Sequence, residues 1–159
     1  MILLAKLDSE QASYHPKQIN VAALVEHVAD RVLPLAAEDH VTLKKEVAEG
    51  MYIYADEEKM LRALLNLVVN GVRHAHSVVK ITAAMNGKQK MLVVEDDGEG
   101  ISEELLPHIF HRFVKGKQGE TGLGLAITRA IIEQSGGKIT VENKSDEGAR
   151  FVILFPGNA

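Results

Sequence analysis

From residue 20 the chain switches between stretches where apolar residues recur every three or four positions and stretches where they recur every two. In "INVAALVEHVADRVLPLAAED", Leu24, Val25, Val28, Val32 and Leu35 fall at helical spacing, with Asn20 placed as N-cap. "VTLKKEV" alternates from Val41, and "MYIYA" at 51–55 reads as a second strand. Asp56 is placed to cap the next helix, with Glu57 and Glu58 in the first turn, where the helix dipole favours them. In that helix Leu61, Leu64, Leu65, Val68 and Val72 fall within roughly 100° of arc and form the expected buried stripe. "VVKITAAM" and "KMLVVED" are strands joined through Asn86-Gly87, a hairpin signal. Residues 102–122 show no period. A helix is expected near 123–135, with Ala126, Ile127, Ala130, Ile131 and Gln134 on one side and Gly136-Gly137 as its stop. "KITVEN" and "RFVILFP" close the chain as a hairpin around "KSDEGA". Helices among mostly antiparallel strands predict an α+β sandwich.

At the start of the chain, Leu3, Leu4 and Leu7 share a stripe that soon turns polar, so residues 1–13 read as the frayed end of a helix from a longer parent. Pro16 biases His15 away from the helical region and breaks it. The main domain is therefore expected over 14–157.

Composition narrows the classes. The 159 residues suit one domain with a real core, and with no Trp, three Tyr and four Phe that core must be aliphatic. A net charge of −4 gives no global basic field for nucleic acid. The longest apolar runs fall far short of the roughly 18–20 residues that cross a bilayer, and "MILLAKL" lacks the features of a secretory leader. Without Cys, the chain has no disulfides, thiolate zinc sites or Cys nucleophiles.

Three stretches carry candidate chemistry. Asn66, Asn70 and Arg73 sit at i, i+4 and i+7 of the second helix, on one face and roughly opposite the leucine stripe. Two amides one turn apart can offer oxygens to a hard cation such as Mg2+, and an arginine a turn later can meet an anion. The same face also reads as simply solvated, although Leu67 and Val69 beside the asparagines are unlike a typical charged outer face. In "VVEDDGEGI", an acidic side chain at a strand end can accept a hydrogen bond from an exocyclic amine, and glycines let the backbone approach a flat ring. A plain Asp-Gly turn fits equally well. In "GKQGETGLGLAI", four glycines precede and open a helix, whose free N–H groups and positive end suit phosphates. Neither a Walker loop nor G-x-G-x-x-G is present, and a linker is the competing reading. Lys115 and Lys117 stand just ahead of it. His74-x-His76 and His108-x-x-His111 lack a third ligand at metal-binding spacing, and no Ser/His/Asp pattern occurs.

The order amide-rich helix, strand-Asp-Gly-x-Gly, Gly-x-Gly opening a helix resembles the ATP-binding catalytic domain of sensor histidine kinases, within the wider group of gyrase, mismatch-repair ATPases and heat-shock chaperones. "LLNLVVNGVRHA" resembles that family's asparagine box, "DDGEGI" its first glycine box, "IFHRFVKG" its phenylalanine box and "TGLGLAI" its second glycine box. "SGGKITVEN" and "GARFVILFP" resemble its closing hairpin, and "LLAKLDSEQ" the end of its dimerisation helix. The phenylalanine box and the second glycine box favour the kinases over their relatives.

The resemblance implies a Bergerat fold: a two-layer α/β sandwich with a mixed, mostly antiparallel sheet against about three helices. Nucleotide would bind between the helices and a lid over about 110–122. Asn70 would ligate Mg2+, with Asn66 alongside. Arg73 and Lys115 would face the phosphates, and with Asn70 they form the implied catalytic set. His74 would lie near the nucleotide. Asp96 would bond the adenine amino group in a pocket shaped by Gly98, Gly100 and Ile101. Gly122 and Gly124 would present backbone N–H groups to the phosphates, Leu123 and Leu125 would belong to the same cofactor-binding set, and Phe110 and Phe113 would anchor the lid. Gly71 stands where Ala is usual, and Glu120 where glycine is common.

The implied cofactors are ATP and Mg2+. The implied reaction moves the γ-phosphoryl of ATP to a histidine on a dimerisation domain of the same homodimeric parent, for onward transfer to a response-regulator aspartate. None of the seven histidines has the expected His-Glu/Asp-x-x-Pro setting, so the chain is expected to bind Mg-ATP without phosphorylating itself. The implied location is cytoplasmic, in a parent commonly anchored in the membrane. Two other classes stay open: an ATPase that drives conformational change, and a non-catalytic interaction module.

Overall fold

The computed structural model describes residues 14–111, 123–145 and 147–157. β1 (Pro16–Asn20) runs into α1 (Val21–Glu38), where the Asn20 side-chain oxygen accepts the Ala23 N–H at 3.1 Å. β2 (Thr42–Val47) and β3 (Tyr52–Asp56) follow. Asp56 starts α2 (Glu57–His74): one carboxylate oxygen accepts the Lys59 N–H at 3.1 Å, and the other accepts the His15 N–H at 2.9 Å. β4 (Val78–Asn86) and β5 (Gln89–Asp96) form the expected hairpin, with Gly87 at φ +65°. A 3-10 turn (Leu106–His108), α3 (Leu123–Gln134), β6 (Lys138–Asn143) and β7 (Ala149–Phe155) complete the described elements.

Five strands form one sheet in the order β2-β4-β5-β7-β6. β2 and β4 pair parallel, and the other neighbours are antiparallel. The parallel pair requires a crossover, which β3 and α2 supply. α1 packs on β2 and β4, α2 on β4 and β5, and α3 on β6, while α2 touches both other helices. The faces differ as the alternation demands: Val79, Ile81, Leu92, Val94, Phe151 and Ile153 are buried. Lys80 and Arg150 lie on the other face, ion-paired with Glu46 and Glu142 at 3.0 Å. This is the expected two-layer sandwich with a mixed, mostly antiparallel sheet. Among the described residues no helix is long and apolar enough to cross a membrane.

Two expectations need correction. Residues 16–20 were expected only as a helix break and cap, yet they form β1, antiparallel to β3 with Ile19 opposite Ile53. "PKQIN" has a single apolar residue, so no two-residue period could mark it, and its partner strand supplies the order. In α2 the buried residues are Lys59, Met60, Ala63, Leu64, Leu67, Val68, Gly71 and Val72, while Leu61 and Leu65 are only partly buried. The expected stripe was too narrow and rotated, because α2 is covered by the sheet and by two helices at once. Residues 1–13 lie outside the described residues.

Candidate functional site

The face of α2 that turns from the sheet borders a cavity of about 680 Å3. Asn66, Asn70, Arg73 and His74 line it from α2, Asp96 from the end of β5, and Gly100 and Ile101 from the turn beyond. Gly124 and Leu125 line it from the first turn of α3. Nine residues singled out from three separate stretches thus share one cavity. From Asn66 to His74 the helix rises roughly 12 Å, so the cavity can take an elongated ligand. Arg73 and, from α1, Arg31 add positive charge to its lining.

Asp96 is only 4% exposed. Its Oδ1 accepts the Gly98 N–H at 2.8 Å. Burial pushes its carboxyl above the ordinary value; hydrogen bonds from the Gly98 and Ala149 N–H groups, with the charges of His74 and Lys144, oppose that rise. A buried carboxyl in a cavity also lined by Ile101 and Phe151 suits a planar apolar ring that carries a donor.

Gly98 does not line the cavity. A Cβ there would lie 1.9 Å from the His74 carbonyl oxygen, so this glycine lets the turn cross the end of α2. Its neighbour Asp97 makes the joint: one oxygen accepts the N–H groups of His76, Ser77 and Val78 at 2.9, 2.9 and 3.0 Å, and the other accepts the Ser77 hydroxyl. Burial alone would raise the Asp97 carboxyl, but these donors hold it far below the usual carboxylate range.

Asn66 has a second partnership. Its amide nitrogen donates to the Gly124 carbonyl and the Thr128 hydroxyl oxygen, each at 3.3 Å, and the buried Thr128 hydroxyl donates to the Gly124 carbonyl at 2.8 Å. The amide therefore ties α2 to the first turn of α3. Phe110 packs edge-on against Phe151, with ring centroids 6.1 Å apart. Phe113, Lys115 and Gly122, and most of the expected lid, lie outside the described residues; Leu123 opens α3.

Sequence reasoning missed Arg31, Asp97, Thr128 and Asn143. Thr128 gave one faint signal, a polar residue on the apolar side of α3 one turn after Gly124. Asn143 gave none, because its partner Ile101 is 42 residues away.

The fold is a two-layer sandwich with one elongated cavity beside its central helix. The chain belongs to the histidine kinase-, DNA gyrase B-, and HSP90-like ATPase family, which matches residues 55–159. The relatives then narrow the class to the catalytic domain of sensor histidine kinases. The chain is 33% identical over 163 residues to sensor protein RstB of Escherichia coli K12, covering 98% of this chain and 37% of RstB. It is 30% identical to sensor histidine kinase RppB of Synechocystis, covering 98% of this chain and 36% of that protein. It thus spans little more than a third of the length of these relatives. Among solved structures, the catalytic domain of histidine kinase ThkA superposes with a TM-score of 0.81 at 30% identity, covering 90% of this chain and 96% of that one. Full-length ShkA in complex with AMPPNP gives 0.77 at 28% identity, over 92% of this chain and 32% of that one.

Proposed function

We propose that this chain binds Mg-ATP in the α2 cavity and presents its γ-phosphoryl to a histidine on a separate helical domain, from which a response-regulator aspartate takes it. The observation that carries this reading is the convergence of Asn70, Asp96 and Gly124 on one cavity. Asp96 accepts the adenine amino group, while Ile101 and Phe151 supply apolar contact. Gly124 and Leu125 border the phosphates at the start of α3, where a helix end favours negative charge. Arg73, with Lys115 ahead of α3, neutralises them.

The residues fit the metal. An amide oxygen is a suitable hard ligand for Mg2+, and Asn70 lines the cavity one turn from both Asn66 and Arg73. Asn66 serves there as the tie to α3 and so sets the distance between the two helices. Bound Mg-ATP supplies the phosphoryl group and the metal charge. Transfer breaks the bond between the γ-phosphorus and the β-bridging oxygen, forms a bond to an unprotonated imidazole nitrogen, and releases ADP. The chain's contribution is orientation and charge neutralisation, the main protein terms in phosphoryl transfer.

Titration with a fluorescent ATP analogue, with and without Mg2+, tests the reading. Asn70→Ala should weaken Mg-dependent binding at least tenfold, as expected on losing a ligand to a charged group, while circular dichroism stays unchanged. Equal affinity in the two proteins would remove Asn70 from the metal site.

A further inference from the structure

Both backbone hydrogen-bonding groups of Ile101 are held by one side chain. The Ile101 N–H donates to Asn143 Oδ1 at 2.8 Å, and the Ile101 carbonyl accepts from Asn143 Nδ2 at 2.8 Å. Asn143 is the last residue of β6, whereas residues 98–101 belong to no strand. The amide thus does for Ile101 what a neighbouring strand does inside the sheet: it satisfies one N–H and one C=O together.

The residue before Ile101 makes this contact possible. Gly100 has φ +84°, and a Cβ there would lie 2.8 Å from Asn143 Oδ1. Glycine is therefore required at position 100 for two reasons, its backbone conformation and the closed amide beside it. Asp97 fixes the upstream end of this turn to residues 76–78. Asn143 is the matching tie at the downstream end, where the chain leaves the cavity wall. Ala149, Asn143's partner across the β6–β7 pair, lines the same cavity.

We propose that Asn143 is a positioning residue for the base end of the nucleotide site. It does not line the cavity; it acts through Ile101, fixing the Gly100–Ile101 wall at the spacing that Asp96 and a purine ring require. This role rests on the Mg-ATP reading above. Because it acts at the base, it bears equally on ATP and ADP and not on the γ-phosphate.

The test compares wild type, Asn143→Ala and Asn143→Ser by ATP and ADP calorimetry, thermal melting and hydrogen exchange at the Ile101 amide. In Asn143→Ala that amide should exchange faster, and ATP and ADP affinities should fall by the same factor, about fivefold for the loss of such a hydrogen-bonded contact. Melting temperature should move little, since the site is on the surface. Asn143→Ser keeps one polar partner, should fall between the two, and carries the test if the alanine variant does not fold. Gly100→Ala should weaken binding less in the Asn143→Ala background than in wild type, because the obstructing amide is gone. Faster exchange with unchanged affinities would reduce Asn143 to a local structural tie and overturn the proposal. So would a loss confined to ATP, which would place its effect at the phosphates. Failure of wild type to bind either nucleotide would defeat the Mg-ATP reading itself, and the positioning role with it.

Discussion

At Asp96 the proposed binding role stands against stability. Its carboxyl titrates higher in the folded protein than the ordinary value of 3.8, chiefly because it is buried. The folded state therefore holds the proton more tightly than the unfolded chain does. Below 3.8 both states are protonated and burial carries no ionisation penalty. The penalty grows as pH climbs from 3.8 to the raised value, and above that it is fully present. Asp96→Asn removes it while keeping an oxygen that can accept the Gly98 N–H. In urea melts the variant should be at least as stable as wild type at pH 7, and its advantage should shrink toward pH 4. Its ATP affinity should drop at least tenfold, as for losing a charge-assisted hydrogen bond. A variant that loses stability at pH 7 would show that the carboxylate's own bonds outweigh its burial. Asp96 was legible from "VVEDDGEGI" because an acid at a strand end before Gly-x-Gly is a local pattern. Its burial was not, since that comes from β7 and the end of α2.

At the scale of elements, α2 is the central part. Its N-cap and first-turn acids follow from residues within a few positions of each other, and both were readable. Gly71 is the local weakness. The resemblance leads to Ala there, and the structure has room for it: an added Cβ would sit 3.4 Å from both Val79 methyls and 3.9 Å from Val94, in ordinary contact. Gly71→Ala should stabilise the domain by up to about 1 kcal/mol through helix propensity, raising the melting temperature by roughly 2–4 °C at this size. A lower melting point by calorimetry would mean that Val79 cannot give way and that α2 needs its close approach to β4. The buried face of α2 was misread for a related reason. A single stripe describes a helix lying on one surface, whereas α2 is packed by the sheet, α1 and α3, which widen its buried arc. β1 was missed because pairing with β3, not its own sequence, makes it a strand.

On the scale of the whole molecule, the proposed division of labour is open to direct test. None of the seven histidines has an acidic residue next and a proline four positions on. Incubated with γ-labelled ATP and Mg2+, the chain should gain no acid-labile, base-stable phosphate, the signature of phosphohistidine. Labelling at any of its own histidines would sink the idea that the acceptor lies on a separate domain. The rival reading, an ATPase coupled to conformational change, predicts steady phosphate release with no acceptor present, so the same incubation separates the two.

By itself the sequence determined most of the element order, the N-caps of α1 and α2, the β4–β5 turn and the residue types of the stretches that meet at the α2 cavity. Each depends on side chains within a turn or two of one another, where period, capping and glycine chemistry act directly. Only the tertiary structure decided that Asn66 is tied to Thr128, 62 positions away, and that Asn143 holds Ile101, 42 positions away. The strand "KITVEN" was read correctly, yet nothing in it points its last residue toward the cavity wall. Such pairings arise when the sheet and helices bring distant backbone groups together, and those groups, once removed from water, must find partners.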